Sequence, residues 1–235
     1  MGKEIERIAG ERKITVVKSF TAKNNRRGNG LTKQTLKGVD VCIDFSSPGS
    51  VVDNIRASAS CGKNIVVGTT GWYHKLGEVR KMVSKYKIGL LYAPNFSLGM
   101  NIFSQVLAVG LQYVNRFNAY DVAIHETHHK GKADSPSGTA LMLGDIVLRH
   151  VRSKKSILSE TARRAIQPKQ LHITSARVGN VVGTHKVLFD SEADSIELVH
   201  TAKNRSGFAL GALIAAEWLT GKKGIYTMND VIASL

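Results

Sequence analysis

The sequence has no apolar run approaching the roughly 20 residues that cross a bilayer as a helix, so no membrane-spanning segment is expected. Its first residues carry mixed charge and lack the apolar stretch of a secretory signal. Only two cysteines occur, Cys42 and Cys61, without CxxC or metal-ligand spacing, which indicates buried free thiols in a reducing compartment. These absences predict a cytoplasmic globular protein without a metal site.

Aromatic residues make up only 6% of the chain, and acidic residues are absent between Arg12 and Val39. That basic stretch holds eight Lys or Arg residues, within a chain whose net charge is +15. Such a charge suits either nucleic acid or small anionic ligands. Phe20 is the one aromatic residue in the basic stretch, whereas single-strand binding relies on aromatic stacking, so nucleic-acid binding is not expected.

The first part of the chain alternates apolar strands with amphipathic helices. The pattern predicts helices at 3–12, 51–60 and about 75–86, and strands at 14–20, 39–45, 64–68 and 88–92. This order is typical of βαβ units and a parallel sheet, in which ligands bind at the carboxyl ends of the strands. Small and polar residues follow three of these ends, at 46–48, 68–71 and 93–96. Residues of this kind suit a cofactor site and ordinary βα turns equally well.

The later part of the chain has a different pattern and predicts a second domain of α+β type. A long apolar helix runs from Met100 to about Tyr113, a strand begins at Asp121, and a helix is expected from Gly138 to about Val151. Three further segments, at 171–178, 182–189 and 194–201, alternate like antiparallel strands. A buried helix starting at residue 207 ends before Gly221.

The segment from His125 to Ala140 is the richest in reactive side chains. It contains the pattern His-Glu-x-x-His, which in zinc proteases lies on a helix so that both histidines share one face. Here Val122, Ile124 and Glu126 alternate with more polar residues, as in a strand, and Gly131 follows too soon for a helix. A zinc hydrolase is therefore not predicted.

An anion site at a helix start is the other interpretation of this segment. Ser137-Gly138-Thr139 leads into a helix whose first N–H groups and positive dipole end would attract a carboxylate. Histidines and lysines at 128–132 lie just upstream and could supply protons to the same ligand. A solvated basic loop, with Ser135 or Ser137 as a plain N-cap, would leave the same pattern.

The same segment resembles the core motif of the dihydrodipicolinate reductase family, Glu-x-His-His-x-x-Lys-x-Asp-x-Pro-Ser-Gly-Thr-Ala. The ten matching residues here are Glu126, His128, His129, Lys132, Asp134, Pro136, Ser137, Gly138, Thr139 and Ala140. The resemblance covers nearly the whole chain, with further matches at 44–46, 68–71, 93–97, 177–185, 200–205 and 208–211.

The resemblance implies an α/β fold, with a Rossmann-like dinucleotide-binding domain formed by 1–95 and 207–235. It implies that 96–206 is an α+β domain that binds substrate and assembles a homotetramer. The implied reaction is reduction of 4-hydroxy-tetrahydrodipicolinate, a small cyclic dicarboxylate, by NADH or NADPH with loss of water to give tetrahydrodipicolinate, on the diaminopimelate route to lysine. Nothing in the resemblance points to nucleic acid or membrane as a partner.

By the same resemblance, His128 and Lys132 are the catalytic residues that exchange protons with the substrate. The residues expected to hold the substrate are His129, Ser137, Gly138 and Thr139. The residues expected to bind the cofactor are Met1, Gly2, Lys23, Phe45, Ser46, Gly68, Thr69, Thr70, Ala93, Pro94, Asn95, Phe96, Arg205 and Phe208.

Two departures from the family pattern are visible. The chain opens at Met1-Gly2, the last part of a Gly-rich turn that in relatives follows a first strand. A misplaced start would produce this sequence, and so would a truncated member that is catalytically impaired and acts only as a binding or assembly module. The second departure is the loop at 21–27, which has cations where an acid would bind the ribose of NAD. This loop favours NADPH, through its 2′-phosphate, unless it is simply solvated.

Overall fold

The computed structural model of the chain describes residues 1–117 and 119–234. Within these residues there are seven α-helices: α1 (Gly2–Glu11), α2 (Val51–Ser60), α3 (Leu76–Tyr86), α4 (Leu98–Phe117), α5 (Gly138–His150), α6 (Ser206–Leu219) and α7 (Met228–Ile232). The nine strands in the same part of the chain are β1 (Val41–Asp44), β2 (Asn64–Val67), β3 (Gly89–Tyr92), β4 (Asp121–His128), β5 (Ser156–Leu158), β6 (Gln170–Arg177), β7 (Gly183–Asp190), β8 (Ser195–Ala202) and β9 (Gly224–Tyr226). None of these helices combines the length and apolar character that crossing a bilayer requires.

The chain divides into two compact units. The first unit joins Met1–Asn101 to Arg205–Leu235, and the second consists of Ile102–Asn204. Each unit has its own sheet, with four strands in the first and five in the second. The chain therefore leaves the first unit within α4 and returns to it just before α6.

The first unit is built on a parallel sheet with strand order β1-β2-β3-β9, as the alternation of strands and helices predicts. Successive side chains of a strand point to opposite faces, and β2 is buried on both. Ile65 and Val67 pack in the cluster that contains α2 and α3, whereas Val66 packs in the cluster that contains α6 and α7. Helices therefore cover both faces, which is the Rossmann-like arrangement.

The strand predicted at 14–20 is not formed. Val16 and Val17 are 44% and 49% exposed, and the segment has no regular secondary structure. β-propensity reflects packing on a pleated surface, and an unpaired strand is not stable alone. In the described residues, β1 ends the sheet on this side and pairs only with β2. Despite its β-rich composition, the segment at 14–20 therefore has no neighbouring strand with which to pair in the described residues.

The second unit contains a mixed sheet with strand order β5-β6-β4-β7-β8. The strands predicted at 182–189 and 194–201 are confirmed and pair antiparallel as β7 and β8. The segment predicted at 171–178 forms β6, but the antiparallel orientation is wrong, because β6 runs parallel to β4 and to β5. The connection from β4 to β6 includes α5, and a helical crossover returns the chain in the same direction.

Candidate active site

Glu126 lies at the centre of the polar cluster in the second unit. Its position on β4 faces inward, and it is completely buried. One carboxylate oxygen, Oε1, accepts hydrogen bonds from the backbone N–H of Ser137 (2.9 Å), the hydroxyl of Ser175 (2.8 Å) and the guanidinium of Arg177 (3.0 Å). A buried charge requires this kind of compensation, since an unpaired one costs several kcal/mol.

These donors also determine the charge of Glu126. Burial by itself would raise the pKa of the carboxyl group, because it disfavours the ionised form. The hydrogen bonds from Ser137, Ser175 and Arg177 outweigh burial and lower the pKa of Glu126 to about 2. The carboxylate is therefore ionised throughout the neutral range.

His128 is the last residue of β4 and contacts this carboxylate directly. Its Nδ1 lies 3.2 Å from Oε2 of Glu126. The ring of His185, on the neighbouring strand β7, meets the His128 ring edge-to-face, with centroids 5.1 Å apart. Gly183 borders the opposite edge of the His128 ring, where a Cβ atom would lie only 2.8 Å from Nε2. The predicted catalytic histidine is thus enclosed on three sides by residues of β4 and β7.

Burial keeps both histidines neutral at neutral pH. The pKa of His128 is lowered mainly by burial, and the neighbouring Glu126 charge opposes that effect. The pKa of His185 is lowered from 6.5 to about 4, first by burial and then by the proximity of His128. His185 therefore contributes a neutral ring to the site, with its Nε2 3.3 Å from the Ser137 hydroxyl.

We expect the free energy of unfolding to decrease as the pH falls from about 6.5 to about 4. Over this range unfolded His185 takes up a proton while folded His185 does not, so its contribution is complete above pH 6.5 and lost toward pH 4. At about 1.4 kcal/mol per pKa unit, the loss from this residue is roughly 3 kcal/mol. Urea unfolding at several pH values measures it. His185→Gln should have a shallower pH dependence than the parent, and equal slopes would contradict the assignment.

Lys132 lies in the loop between β4 and α5 with its side chain 23% exposed. Its ammonium group is 2.7 Å from a carboxylate oxygen of Asp134, and its carbonyl accepts a hydrogen bond from Arg177 (3.3 Å). Arg177 also donates to the carbonyl of Asp134. Arg177 therefore links the loop that contains Lys132 to the buried Glu126 carboxylate. These hydrogen bonds fix the position of the lysine.

The predicted helix start forms at Gly138. The Ser137 side chain caps it by accepting from the N–H of Ala140 (3.1 Å), and Ser137 itself is buried. Gly138 is exposed, and a Cβ atom there would have no neighbour within 4 Å. Thr139 is half-buried, as is His129, whose ring lies beside Gly131. Open space at Gly138 gives an anion access to the first N–H groups of α5.

The cluster also has the composition of a metal site, but its charges argue against one. Glu126, His128 and His185 bring a carboxylate oxygen and two ring nitrogens within 4.8 Å of one another. The same carboxylate already pairs with the Arg177 guanidinium, and a second cation in this buried position would be repelled by it. His125 lies on strand β4 and His129 directly follows that strand, so the two histidines of the pattern are not on a helix and the zinc-protease arrangement is not formed. We therefore interpret the cluster as a hydrogen-bond network.

In the first unit, Asp44 joins two of the predicted cofactor-binding turns. Its carboxylate accepts hydrogen bonds from the hydroxyls of Ser46 (2.9 Å) and Thr69 (2.7 Å) and from the Asn54 amide (2.7 Å). Thr69 also accepts from the Ser46 backbone N–H (2.8 Å). The ends of β1 and β2 are thereby held together at the carboxyl edge of the sheet.

Aromatic packing brings the third strand end to the same place. The rings of Phe45 and Phe96 are 5.7 Å apart in an edge-to-face arrangement. Gly68 lies against Phe45, where a Cβ atom would be 2.1 Å from the ring. A glycine is required at that position because no side chain fits beneath the phenyl group. The structure thus places residues from the ends of β1, β2 and β3 side by side.

The remaining predicted cofactor residues lie in the basic loop, at the starts of α1 and α6, or in the turns after β2 and β3. Lys23 is exposed in that loop, which is fastened to α2 by a hydrogen bond from Asn25 to Asn54 (3.0 Å). Met1 caps the start of α1, Gly2 is its first residue, and Arg205 caps α6, which contains Phe208. The rest lie in the turns after β2 and β3: Thr70 and Pro94 are exposed, Asn95 is half-buried and Ala93 is buried.

Sequence reasoning assigned no role to several residues that organise these sites. Asp44 and Glu126 stood within the family motifs, but their position as hydrogen-bond acceptors was not predicted. Ser175, Arg177 and His185 come from β6 and β7, the strands on either side of β4. Glu126 occupies an inward-facing position in the alternating pattern of β4. This position is the one signal in the sequence that could have indicated a buried charge, which requires hydrogen-bond partners.

A parallel sheet with cofactor-type turns and a separate cluster of proton-exchanging side chains define a dinucleotide-dependent oxidoreductase. Family models described as dihydrodipicolinate reductase, N-terminus, and dihydrodipicolinate reductase, C-terminus, match residues 1–96 and 99–232. The chain belongs to the dihydrodipicolinate reductase family, as the core motif predicted.

Relatives agree with this assignment, and a solved structure has the same fold. The chain is 37% identical over 235 residues to the 4-hydroxy-tetrahydrodipicolinate reductase of Christiangramia forsetii, covering 100% of this chain and 95% of that protein. It is 36% identical over 197 residues to the enzyme of the same name from Methanosarcina mazei, covering 82% and 73% of the two chains. Its fold resembles dipicolinate-bound dihydrodipicolinate reductase from Paenisporosarcina sp. TG-14, with a TM-score of 0.75, 22% identity, and 96% and 92% of the two chains covered.

Proposed function

We propose that this chain reduces 4-hydroxy-tetrahydrodipicolinate to tetrahydrodipicolinate with the proton-exchanging residues His128 and Lys132. It is an NAD(P)H-dependent reductase of lysine biosynthesis, the activity by which its relatives are named. The observation that carries the site assignment is the enclosure of His128 between the Glu126 carboxylate and Gly183, with Lys132 fixed nearby through Arg177. Oxidation of NADPH or NADH by the purified chain, dependent on added substrate, tests the function.

The division of roles follows from what each group can do. The bound nicotinamide supplies the hydride. Neutral His128 can accept and return a proton near neutral pH, and the Lys132 ammonium can donate one to the reduced product. The substrate carboxylates are held by His129, Gly138 and Thr139. Ser137 caps α5 and so fixes the helix start to which these carboxylates bind. The two free cysteines, Cys42 and Cys61, are consistent with the reducing cytoplasm, where we place the enzyme.

The cofactor is held by the three adjoining strand ends of the first unit. By resemblance to the family, the nicotinamide dinucleotide is lined by three turns, at Phe45–Ser46, Gly68–Thr70 and Ala93–Phe96. Gly68 has no side chain, and a hydrogen bond holds Ser46 to Thr69 at the same edge of the sheet. A ligand can therefore approach the backbone closely there. Met1, Gly2, Arg205 and Phe208 complete the site at the starts of α1 and α6.

NADPH is the preferred cofactor, because the loop after α1 presents cations and no acid. Lys23→Ala should raise the KM for NADPH about three- to tenfold and leave the KM for NADH unchanged, since only NADPH has a 2′-phosphate. Steady-state kinetics with both cofactors measures this. Lys33→Ala, another exposed lysine of the basic stretch, is the matched control. Equal losses with both cofactors, or none with NADPH, would contradict the preference.

The second unit assembles the chain into a homotetramer. Helix α4 has an exposed apolar face formed by residues three or four positions apart, and β8 adds apolar residues at the edge of its sheet. The residues are Ile102, Val106, Val109, Tyr113 and Phe117 on α4, and Ile196 and Val199 on β8. An exposed apolar helix face of this kind is typical of an interface.

We expect analytical ultracentrifugation to give four times the chain mass for the parent. Val106→Asp combined with Val109→Asp should give smaller species, because two charges would be buried in the interface. Lys155→Ala, a change at an exposed position of the same unit, should leave the mass unchanged. A parent that sediments as a monomer would contradict the proposal.

A further inference from the structure

The two oxygens of the Glu126 carboxylate have different surroundings. Oε1 accepts the three hydrogen bonds from Ser137, Ser175 and Arg177. Oε2 is buried and receives none of them, and its nearest ring nitrogen is Nδ1 of His128, at 3.2 Å. That nitrogen is also buried, and neither it nor Oε2 makes a hydrogen bond within the described part of the chain, so the two atoms face each other as a close contact. The three donors on Oε1 therefore orient the carboxylate so that its other oxygen faces Nδ1 of the predicted catalytic histidine, with Nε2 of His185 farther away at 3.6 Å.

The other nitrogen of His128 faces a different environment. Nε2 lies against Gly183, where even a methyl group would come within 2.8 Å of it. The His128 ring therefore has the Glu126 carboxylate beside Nδ1 and Gly183 beside Nε2, and these two neighbours give it one defined orientation. Neutral imidazole has one proton for its two nitrogens, and that proton goes to the nitrogen that faces an acceptor.

We propose that Glu126 is a positioning residue for proton transfer, holding the Nδ1 proton of His128 so that the Nε2 lone pair is the site that exchanges a proton with the substrate. The proposal rests on the proposed function of His128. Nε2 takes up a proton to give the imidazolium ion, whose Nδ1–H stays on the carboxylate, and later returns that proton. The carboxylate itself is not protonated in either step.

The charges around His128 give the proposal a pH signature. Glu126 and Asp134 raise the pKa of His128, whereas burial, Lys132 and Arg177 lower it. His185 packs against the same ring and is neutral near pH 7. Removing the Glu126 charge while keeping its shape should therefore move the His128 limb of the pH–rate profile to lower pH.

Glu126→Gln tests the proposal, because glutamine keeps the volume and can still accept at Oε1. Its amide nitrogen would take the place of Oε2 and donate toward Nδ1, which favours the opposite tautomer. We expect kcat to fall about 10²- to 10⁴-fold with KM within about threefold of the parent, and the acidic limb to shift to lower pH. Glu197→Gln, the same change at an exposed position on β8, is the matched control and should be kinetically normal.

Nitrogen NMR of the imidazole groups in the parent protein provides a readout that depends neither on turnover nor on the folding of a variant. In the parent protein, we expect His128 to have its proton on Nδ1, and in Glu126→Gln on Nε2. An Nε2–H tautomer in the parent would overturn the proposal. So would a folded Glu126→Gln protein with unchanged tautomer and pH limb, whatever its kcat. A parent with the expected tautomer but no reductase activity would instead contradict the proposed function alone.

Discussion

Replacing Lys132 with alanine should reduce kcat by about 10²- to 10⁴-fold, the usual contribution of a positioned proton donor. The lysine side chain is 23% exposed, and its ammonium group pairs with Asp134, itself at the surface. Removing such an exposed pair costs little stability, so the variant should fold normally. The loss should therefore appear in kcat, measured by oxidation of the nicotinamide cofactor with saturating substrate.

Lys130→Ala is the matched control for that experiment. Lys130 is exposed, two residues away in the same loop, and its loss removes the same charge from the region. If the lysine acts only through its charge, the two variants should lose similar activity. We expect Lys130→Ala to retain most of its turnover. Near-normal turnover of Lys132→Ala would remove Lys132 from the mechanism.

Gly211→Ala should destabilise the protein by about 3 kcal/mol and weaken cofactor binding. Gly211 lies in α6, where an added Cβ atom would be 1.8 Å from the carbonyl oxygen of Phe96. The clash is with backbone, which cannot move aside as a flexible side chain would. Relieving it requires α6 or the turn after β3 to shift, and Phe96 packs there against Phe45 at the proposed cofactor edge.

Thermal unfolding and titration calorimetry with NADPH measure the two effects. Gly77→Ala makes the same substitution in α3, where a Cβ atom would have no neighbour within 4 Å. That control should match or exceed the parent in stability, because alanine favours helix, and should bind cofactor normally. Parent-like stability of Gly211→Ala would show that the contact with Phe96 is not a constraint.

Local patterns predicted the individual elements well where packing and propensity agree. Helix α2 was expected at 51–60 and occupies Val51–Ser60, and α5 begins at Gly138, as its Ser137 cap indicates. The strand expected at 14–20 failed because a strand needs a partner, which composition does not reveal. The direction of β6 failed for a related reason, since alternation is the same in parallel and antiparallel strands.

The residues of the candidate active site likewise fall into two groups: those that a local sequence motif indicates and those that only long-range strand pairing brings together. One contiguous motif contains His128, Lys132 and the start of α5, so the sequence alone could indicate them. Two of the three donors to Glu126 are 49 and 51 residues away, at Ser175 and Arg177, and reach it through the parallel register of β4 and β6. No short pattern specifies such a register, because it depends on how the strands pair across the sheet.

The most direct test of the account is oxidation of NADPH by the purified 235-residue chain on addition of 4-hydroxy-tetrahydrodipicolinate. We expect substrate-dependent oxidation of the cofactor, with tetrahydrodipicolinate as the product and with turnover largely lost in Lys132→Ala. A folded protein that binds NADPH but does not oxidise it when substrate is saturating would contradict the account.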